Sequence, residues 1–353
     1  MRGLKIFSLA FFSYLAISLY ANYFDGELAR VIYSRGLEPS MLLLGAVYAV
    51  AFFSVFALGY VSQIKLSPAF LAVLFLVLSF HDFPVIPALA ALILTAYRLG
   101  ISPFRVFPHI SLLVALLIPI SLYAVIGVPF FERALRYELV GPLVLAAILA
   151  VIGMAYSRVS LRWKTILMVV YSTLFFLGTF RSLVLLVYIS YFLVVYLDYP
   201  ELRRWLAALS AVPVLLILCM SGGLGGMLIR IGFTFMTFHN LVRLSLPWGF
   251  FHGSLLFSDN PRHLVASLFG ASTNYTYFFF GQPIADFGIL GILEAFLLGT
   301  LLYNSERSKE SFVVVLSLML YSLDPGVDAF VLLFVVGILL FSELDKRLKV
   351  NVE

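Results

Sequence analysis

The stretch TNYTYFFFGQPIADFGILGILEAFLLG, residues 273–299, passes from a polar, aromatic run into an apolar helix through Asp286-Phe287-Gly288 and Gly291. Glu294 lies inside the apolar part. Just upstream, from Ser221 to Gln282, is the one long region without a spanning pattern. Outside it the chain reads as a succession of lipid-soluble helices. The expected fold is therefore all-α: a polytopic transmembrane helical bundle, a single membrane domain over residues 1–353. Residues 221–282 form its large extracytoplasmic loop, carrying interfacial helices.

Composition supports that reading. The 353 residues are 63% hydrophobic and 12% charged, with a mean hydropathy of +1.07, whereas soluble domains carry about 25% charged residues. A spanning helix takes about 20 apolar residues, so the length allows ten to twelve crossings. The run 6–24 follows Arg2 and Lys5 but has no small-residue cleavage site after it, and reads as a retained first helix. A single cysteine, Cys219, excludes an internal disulfide and a cysteine-rich metal site. The net charge of +5 is scattered among loops, which fits membrane orientation and not nucleic-acid binding.

Apolar runs at 6–24, 39–63, 67–80, 84–97, 106–127, 139–157, 165–179, 182–197, 205–221, 283–303, 311–323 and 329–342 are the candidate crossings. Several are short for a crossing, so one pair need not cross. With both termini cytoplasmic, the inner loops carry about twice as many Lys and Arg as the outer ones, as the positive-inside rule requires. The outer cations are then all arginines: Arg30, Arg35, Arg133, Arg136, Arg181, Arg230, Arg243 and Arg262. Arginine grips phosphate oxygens with a planar fork and keeps its charge when partly buried.

Arg181, in Gly178-Thr179-Phe180-Arg181-Ser182, stands at an outer tip between two short apolar runs. Charge at such a depth is costly and usually has a partner or ligand; the plain alternative is a cation snorkelling to headgroups. Beyond Gly222-Gly223-Leu224-Gly225-Gly226, an interfacial helix is expected over 227–246, with Arg230, His239, Asn240 and Arg243. His239 and Arg243 share a face, while Arg230 points the other way. His252, Asp259, Arg262 and His263 complete the polar inventory, and a histidine or aspartate there is placed to accept a proton from a sugar hydroxyl. Outer carboxylates show no metal-ligand spacing, and only Asp25-Gly26-Glu27 is a close pair.

The outer arginine in GTFRS, the large late loop and the helix entry ending in ADFGILG together resemble the O-antigen polymerase (oligosaccharide repeat-unit polymerase) family, within the second GT-C membrane glycosyltransferase architecture. The likeness is strongest over about residues 165–300. The related O-antigen ligases place His-Asn before the helix entry; here Thr273 stands in the histidine's place before Asn274, which argues for a polymerase.

The resemblance implies a glycosyltransferase of the cell membrane that polymerises polyprenyl-pyrophosphate-linked repeat units on the outer face. It implies no cofactor or metal, and a chain-length regulator or flippase as partners. Arg181 and Arg243 are expected to stabilise the leaving pyrophosphate, with His239, His252 or Asp286 as proton acceptor. Arg230, Arg262, Asn274, Tyr275 and Tyr277 are expected at the substrate. Two alternatives stay open: a GT-C enzyme using a polyprenyl-phosphate sugar with Asp25 and Glu27, and a lipid-linked oligosaccharide transporter.

Overall fold

The computed structural model describes residues 2–24, 26–39, 42–79, 91, 95 and 107–350. The described residues are helical with no strand. In the first part of the chain lie α1 (Arg2–Phe24), α2 (Gly26–Ser34), α3 (Leu42–Val61) and α4 (Pro68–Ser79). There follow α5 (Phe107–Val125), α6 (Arg136–Tyr156), α7 (Leu161–Leu177), α8 (Arg181–Asp198), α9 (Arg203–Leu209) and α10 (Ala211–Ser221). The last third holds α11 (Leu224–Ser245), α12 (Pro261–Leu268), α13 (Gly281–Phe287), α14 (Ile292–Ser305), α15 (Lys309–Tyr321) and α16 (Ala329–Val350).

Seven of the described stretches are long and apolar enough to cross a membrane: 2–24, 42–61, 107–125, 136–156, 181–198, 200–221 and 281–305. This is a multi-pass membrane protein. The expected run 84–97 falls almost wholly outside the described residues, as does Asp25.

The helices group into two compact units. The first takes residues 1–92, 224–307 and 322–343; the second takes 93–223, 308–321 and 344–353. In the first unit, α14 lies against α3 at backbone distance. A Cβ on Gly299 would collide with the Phe56 carbonyl, and one on Gly59 with that of Phe296. Thr300 Oγ1 donates to the Gly59 carbonyl at 3.2 Å and Asn304 Nδ2 to that of Ile64 at 2.8 Å, fastening the crossing. Small residues at a helix crossing are how membrane helices gain close van der Waals contact without a hydrophobic driving force. Gly299→Leu should therefore force α3 and α14 apart and cost more than the roughly 1–3 kcal/mol of ordinary overpacking, read as a lowered unfolding temperature in detergent.

The aromatic run of the opening stretch fills this unit's centre. Phe278, Phe279 and Phe280 are fully buried, with ring centroids 5.3 Å from Phe11, 4.9 Å from Phe7 and 6.3 Å from Phe56 respectively. α11 packs on α1 and α3. Over residues 232–242 every side of it is buried, where the sequence suggests a helix resting on a bilayer surface. The neighbours supply the missing cover: Gly232 meets Leu28 and Ala21, and Gly45 meets His239.

In the second unit α6 runs against α5 and α8, and α15 against α6 and α8. Gly153 admits Leu112, whose Cγ and Cδ2 would collide with any larger side chain there. Tyr171 Oη donates to the Leu112 carbonyl at 2.7 Å, and Tyr123 Oη to that of Leu174 at the same distance.

Candidate functional site

The ADFGILG entry turns out to be a backbone lock. Asp286 is fully buried. Its Oδ1 accepts from the Gly253 and Leu255 amides, both at 2.9 Å. Its Oδ2 accepts from the Leu256 amide at 2.8 Å and from Gln282 Nε2 at 3.0 Å. Four donors fill the lone-pair sites of a carboxylate, so Asp286 holds the 253–256 turn and has no position left for a sugar hydroxyl's proton. Gly288 (φ +58°) passes so close to Pro247 and Gly249 that a Cβ would overlap the Pro247 carbonyl. Ile289 donates to that same carbonyl at 2.9 Å, and Phe250 to the Ala285 carbonyl at 2.7 Å. Motif and loop are one piece.

His252 projects from this piece, exposed, at φ +51°. His239 is enclosed against α3 with none of its surface exposed. Of the two, only His252 is open to a substrate as the structure stands.

Arg243 does not stand as an open clamp. Its Nη2 lies 2.7 Å from Glu38 Oε2, with side-chain exposures of 32% and 66%. Asn240 supports that contact, donating to the Glu38 carbonyl and accepting from the Glu38 amide, both at 3.1 Å. Asn240 thus belongs to the packing of residue 38 on α11, and His239 to that of Gly45.

Tyr275 and Tyr277, expected at the substrate, are fully buried. Tyr275 crosses Phe233 edge-on at 4.9 Å, with the Arg35 guanidinium 5.9 Å from its ring. Tyr277 Oη donates to the Val327 carbonyl at 3.3 Å. Asn274 is half-buried at the start of this run.

Arg230 lies in a connected polar group of the first unit. Its Nε and Nη2 donate to Asp324 Oδ2 at 3.2 and 2.5 Å. Asp324 Oδ1 accepts from Tyr14 Oη at 2.9 Å and Thr234 Oγ1 at 3.2 Å, and Thr234 shares a 2.5 Å hydrogen bond with Thr276. Burial opposes ionisation of Asp324. The Arg230 charge and the bonds from Arg230, Tyr14 and Thr234 outweigh it, holding the carboxyl below the ordinary aspartate range. Arg262 is close enough for its charge to act on Arg230. The group stays partly open, with side-chain exposures of 28% for Arg230 and 20% for Asp324.

Sequence reasoning names Arg230 and Arg262 but misses Asp324, Tyr14, Thr234 and Thr276. The available signal is Asp324 itself, a charge set between two apolar runs in YSLDPGV, where ionised groups are costly unless paired.

In the second unit Arg181 opens α8 and its Nη1 donates to Ser221 Oγ at 2.7 Å. Ser221 passes its own proton to the Ile217 carbonyl at 2.6 Å. The end of α10 thereby holds the guanidinium at the start of α8, where unpaired backbone amides add positive potential. Arg136, at the start of α6, lies over the Phe180 ring at 4.9 Å, so a second guanidinium touches the residue preceding Arg181.

Among the described residues, no group of three or more His, Cys, Asp or Glu is placed to hold a metal ion. An open cleft of about 490 Å³ lies at the α1–α2 corner, lined by Tyr20, Phe24, Gly26, Glu27, Arg30 and Leu228.

No curated protein and no solved structure matches the chain. The family model described as "Putative O-antigen polymerase" matches residues 6–340, which takes the likeness well beyond 165–300 and through the first half. With nearly its whole length so matched, the chain belongs to the O-antigen polymerase family.

Proposed function

We propose that this member of the family extends a glycan carried on polyprenyl pyrophosphate, at the outer face of the cell membrane. A hydroxyl of the acceptor repeat unit attacks the anomeric carbon of the lipid-linked donor. The C–O bond to pyrophosphate breaks, the bonding pair leaves with the pyrophosphate, and the hydroxyl proton passes to a base. Charge grows on the leaving group, so fixed cations aimed at it are the largest catalytic contribution on offer. The observation that carries this reading is Arg230 clamped by Asp324 with Arg262 in reach. A guanidinium held by one edge is already oriented, and loses little freedom when its other edge meets phosphate oxygens.

Arg181, steadied by Ser221 within the second unit, is a separate candidate cation for the same chemistry. Arg243 is a weaker one, since it must first leave Glu38, although an exposed pair of that kind costs only about 0–1 kcal/mol to open. His252 takes the role of proton acceptor in preference to His239 and Asp286, because it alone is exposed. Asn274, half-buried at the start of the aromatic run, is the proposed contact to the acceptor glycan. Oligosaccharide carriers and the bilayer are the partners that this chemistry requires; a chain-length regulator or flippase would supply or measure the same substrates.

The reading is tested with purified protein and lipid-linked repeat units in excess EDTA. Product ladders should form as they do without chelator, because arginines offset the developing charge and no ion is needed for it. Activity lost in chelator and restored by Mg²⁺ or Mn²⁺ would overturn it. The cleft that joins Glu27 and Arg30 to Tyr20 and Phe24 favours the second reading, a GT-C enzyme with a polyprenyl-phosphate sugar donor. In that case Glu27→Gln, and not Arg230→Ala, should abolish transfer.

The orientation has its own test. In a Cys219→Ser background, cysteine placed at Ser258 should react with a membrane-impermeant maleimide in intact cells, and cysteine at Ser308 only after permeabilisation. The reverse pattern would put the proposed site on the wrong face for flipped substrates.

A further inference from the structure

The second unit has, at the end opposite Arg181, a buried cation, Lys164, with no ion pair or hydrogen bond among the described residues. Lys164 lies near the start of α7 and Arg181 follows that helix's far end, so about 20 Å of helix separates the two. Lys164 is 5% exposed, and among the described residues its ammonium makes no hydrogen bond and no ion pair. The charge of Lys309 repels it, and Glu310 attracts it from beyond contact distance.

Seven positions earlier, Ser157 is also 5% exposed, and its hydroxyl has no hydrogen-bond partner. The same corner holds the start of α15. There Ser308 Oγ donates to Ser311 Oγ at 3.0 Å and lies within 3.3 Å of Glu310 Oε2, and Tyr156 Oη lies 2.8 Å from Ser311 Oγ. Lys309 is ion-paired with Asp198.

Burying an ammonium without a counter-charge costs several kcal/mol, and a buried hydroxyl without a partner adds about 1–3 kcal/mol. An ammonium and a hydroxyl so placed, with Lys309 beside them, call for a compact anion with several acceptor oxygens. The Glu310 carboxylate accepts from Ser308 Oγ at 3.3 Å and makes no ion pair with Lys164; a phosphate carries more acceptor oxygens than a carboxylate.

We propose that the corner formed by Ser157, Lys164 and the first turn of α15 binds a phosphate group. Lys164 supplies the charge, and the Ser157 hydroxyl supplies a donor. The group arrives either as the headgroup of an anionic phospholipid or as a free phosphate or pyrophosphate. The site is independent of the arginine chemistry proposed above.

Thermal unfolding of the purified full-length protein separates the possibilities. It is measured in nanodiscs of phosphatidylcholine alone, of phosphatidylcholine with phosphatidylglycerol, and of phosphatidylcholine with added inorganic phosphate or pyrophosphate. A rise in unfolding temperature with phosphatidylglycerol that disappears in Lys164→Met would establish the lipid source. A rise with soluble phosphate or pyrophosphate, lost in the same variant, would establish the free anion.

Methionine matches lysine in length and relieves the buried charge, so Lys164→Met should fold and be at least as stable as the parent in phosphatidylcholine alone. Ser157→Ala, a milder change, should weaken the same response by roughly 3–10-fold in half-saturating anion, the effect of about one hydrogen bond. If no anion changes the unfolding temperature of the parent, or if Lys164→Met responds as the parent does, the proposal fails.

Discussion

Replacing Arg181 with lysine is expected to reduce polymerisation nearly as far as replacing it with alanine, with both variants inserted and folded normally. Removing one fixed donor from a site where negative charge develops costs about 10²–10³ in turnover. Lysine keeps the charge but not the geometry. Arg181 reaches Ser221 Oγ through one edge of its guanidinium and has the rest of its fork for phosphate oxygens; a single ammonium cannot do both. Chain length on glycan gels, normalised to protein in the membrane, is the measurement. Full-length ladders from Arg181→Lys would make this residue an ordinary interfacial cation and leave the proposed clamp to Arg230 and Arg262.

The second large effect is structural and concerns Asp286. Asp286→Ala would leave the Gly253, Leu255 and Leu256 amides without their acceptor. Each buried, unsatisfied amide costs about 1–3 kcal/mol, so the variant should lose a large part of a typical 5–15 kcal/mol of net stability and accumulate poorly. Asp286→Asn keeps the shape but trades one acceptor for a donor, and should sit between alanine and the parent in unfolding temperature. Activity per folded molecule should fall less than the yield. A stable Asp286→Asn protein with no activity would instead return the residue to the role of proton acceptor.

The helices were legible because a spanning helix declares itself by local composition alone. The run 139–157 corresponds to α6 and 182–197 to α8, each within a few residues. What local composition cannot show is which distant segments meet. Arg230 and Asp324 are 94 positions apart, and nothing near either one announces the other. The aromatic run was misleading for a related reason. Tyr275 and Tyr277 were expected at the substrate; in the fold Phe278, Phe279 and Phe280 pack against α1, α3 and α11, and Tyr275 and Tyr277 go inside with them. The ADFGILG signature was read as a functional entry, and its geometry explains the same residues as a joint: a carboxylate for three amides, and a glycine where two backbones touch.

The tight seam of α3 against α14 has a consequence for how the chain is made. Gly59 and Gly299 are about 240 positions apart, so α3 leaves the ribosome long before the helix that fits it. The second unit's main segment, 93–223, is continuous and emerges in between. An early helix without its mate must wait in the lipid, exposing a glycine groove shaped to accept another helix. Chains arrested between residues 223 and 299 should therefore be the ones most readily captured by membrane chaperones or quality-control proteases.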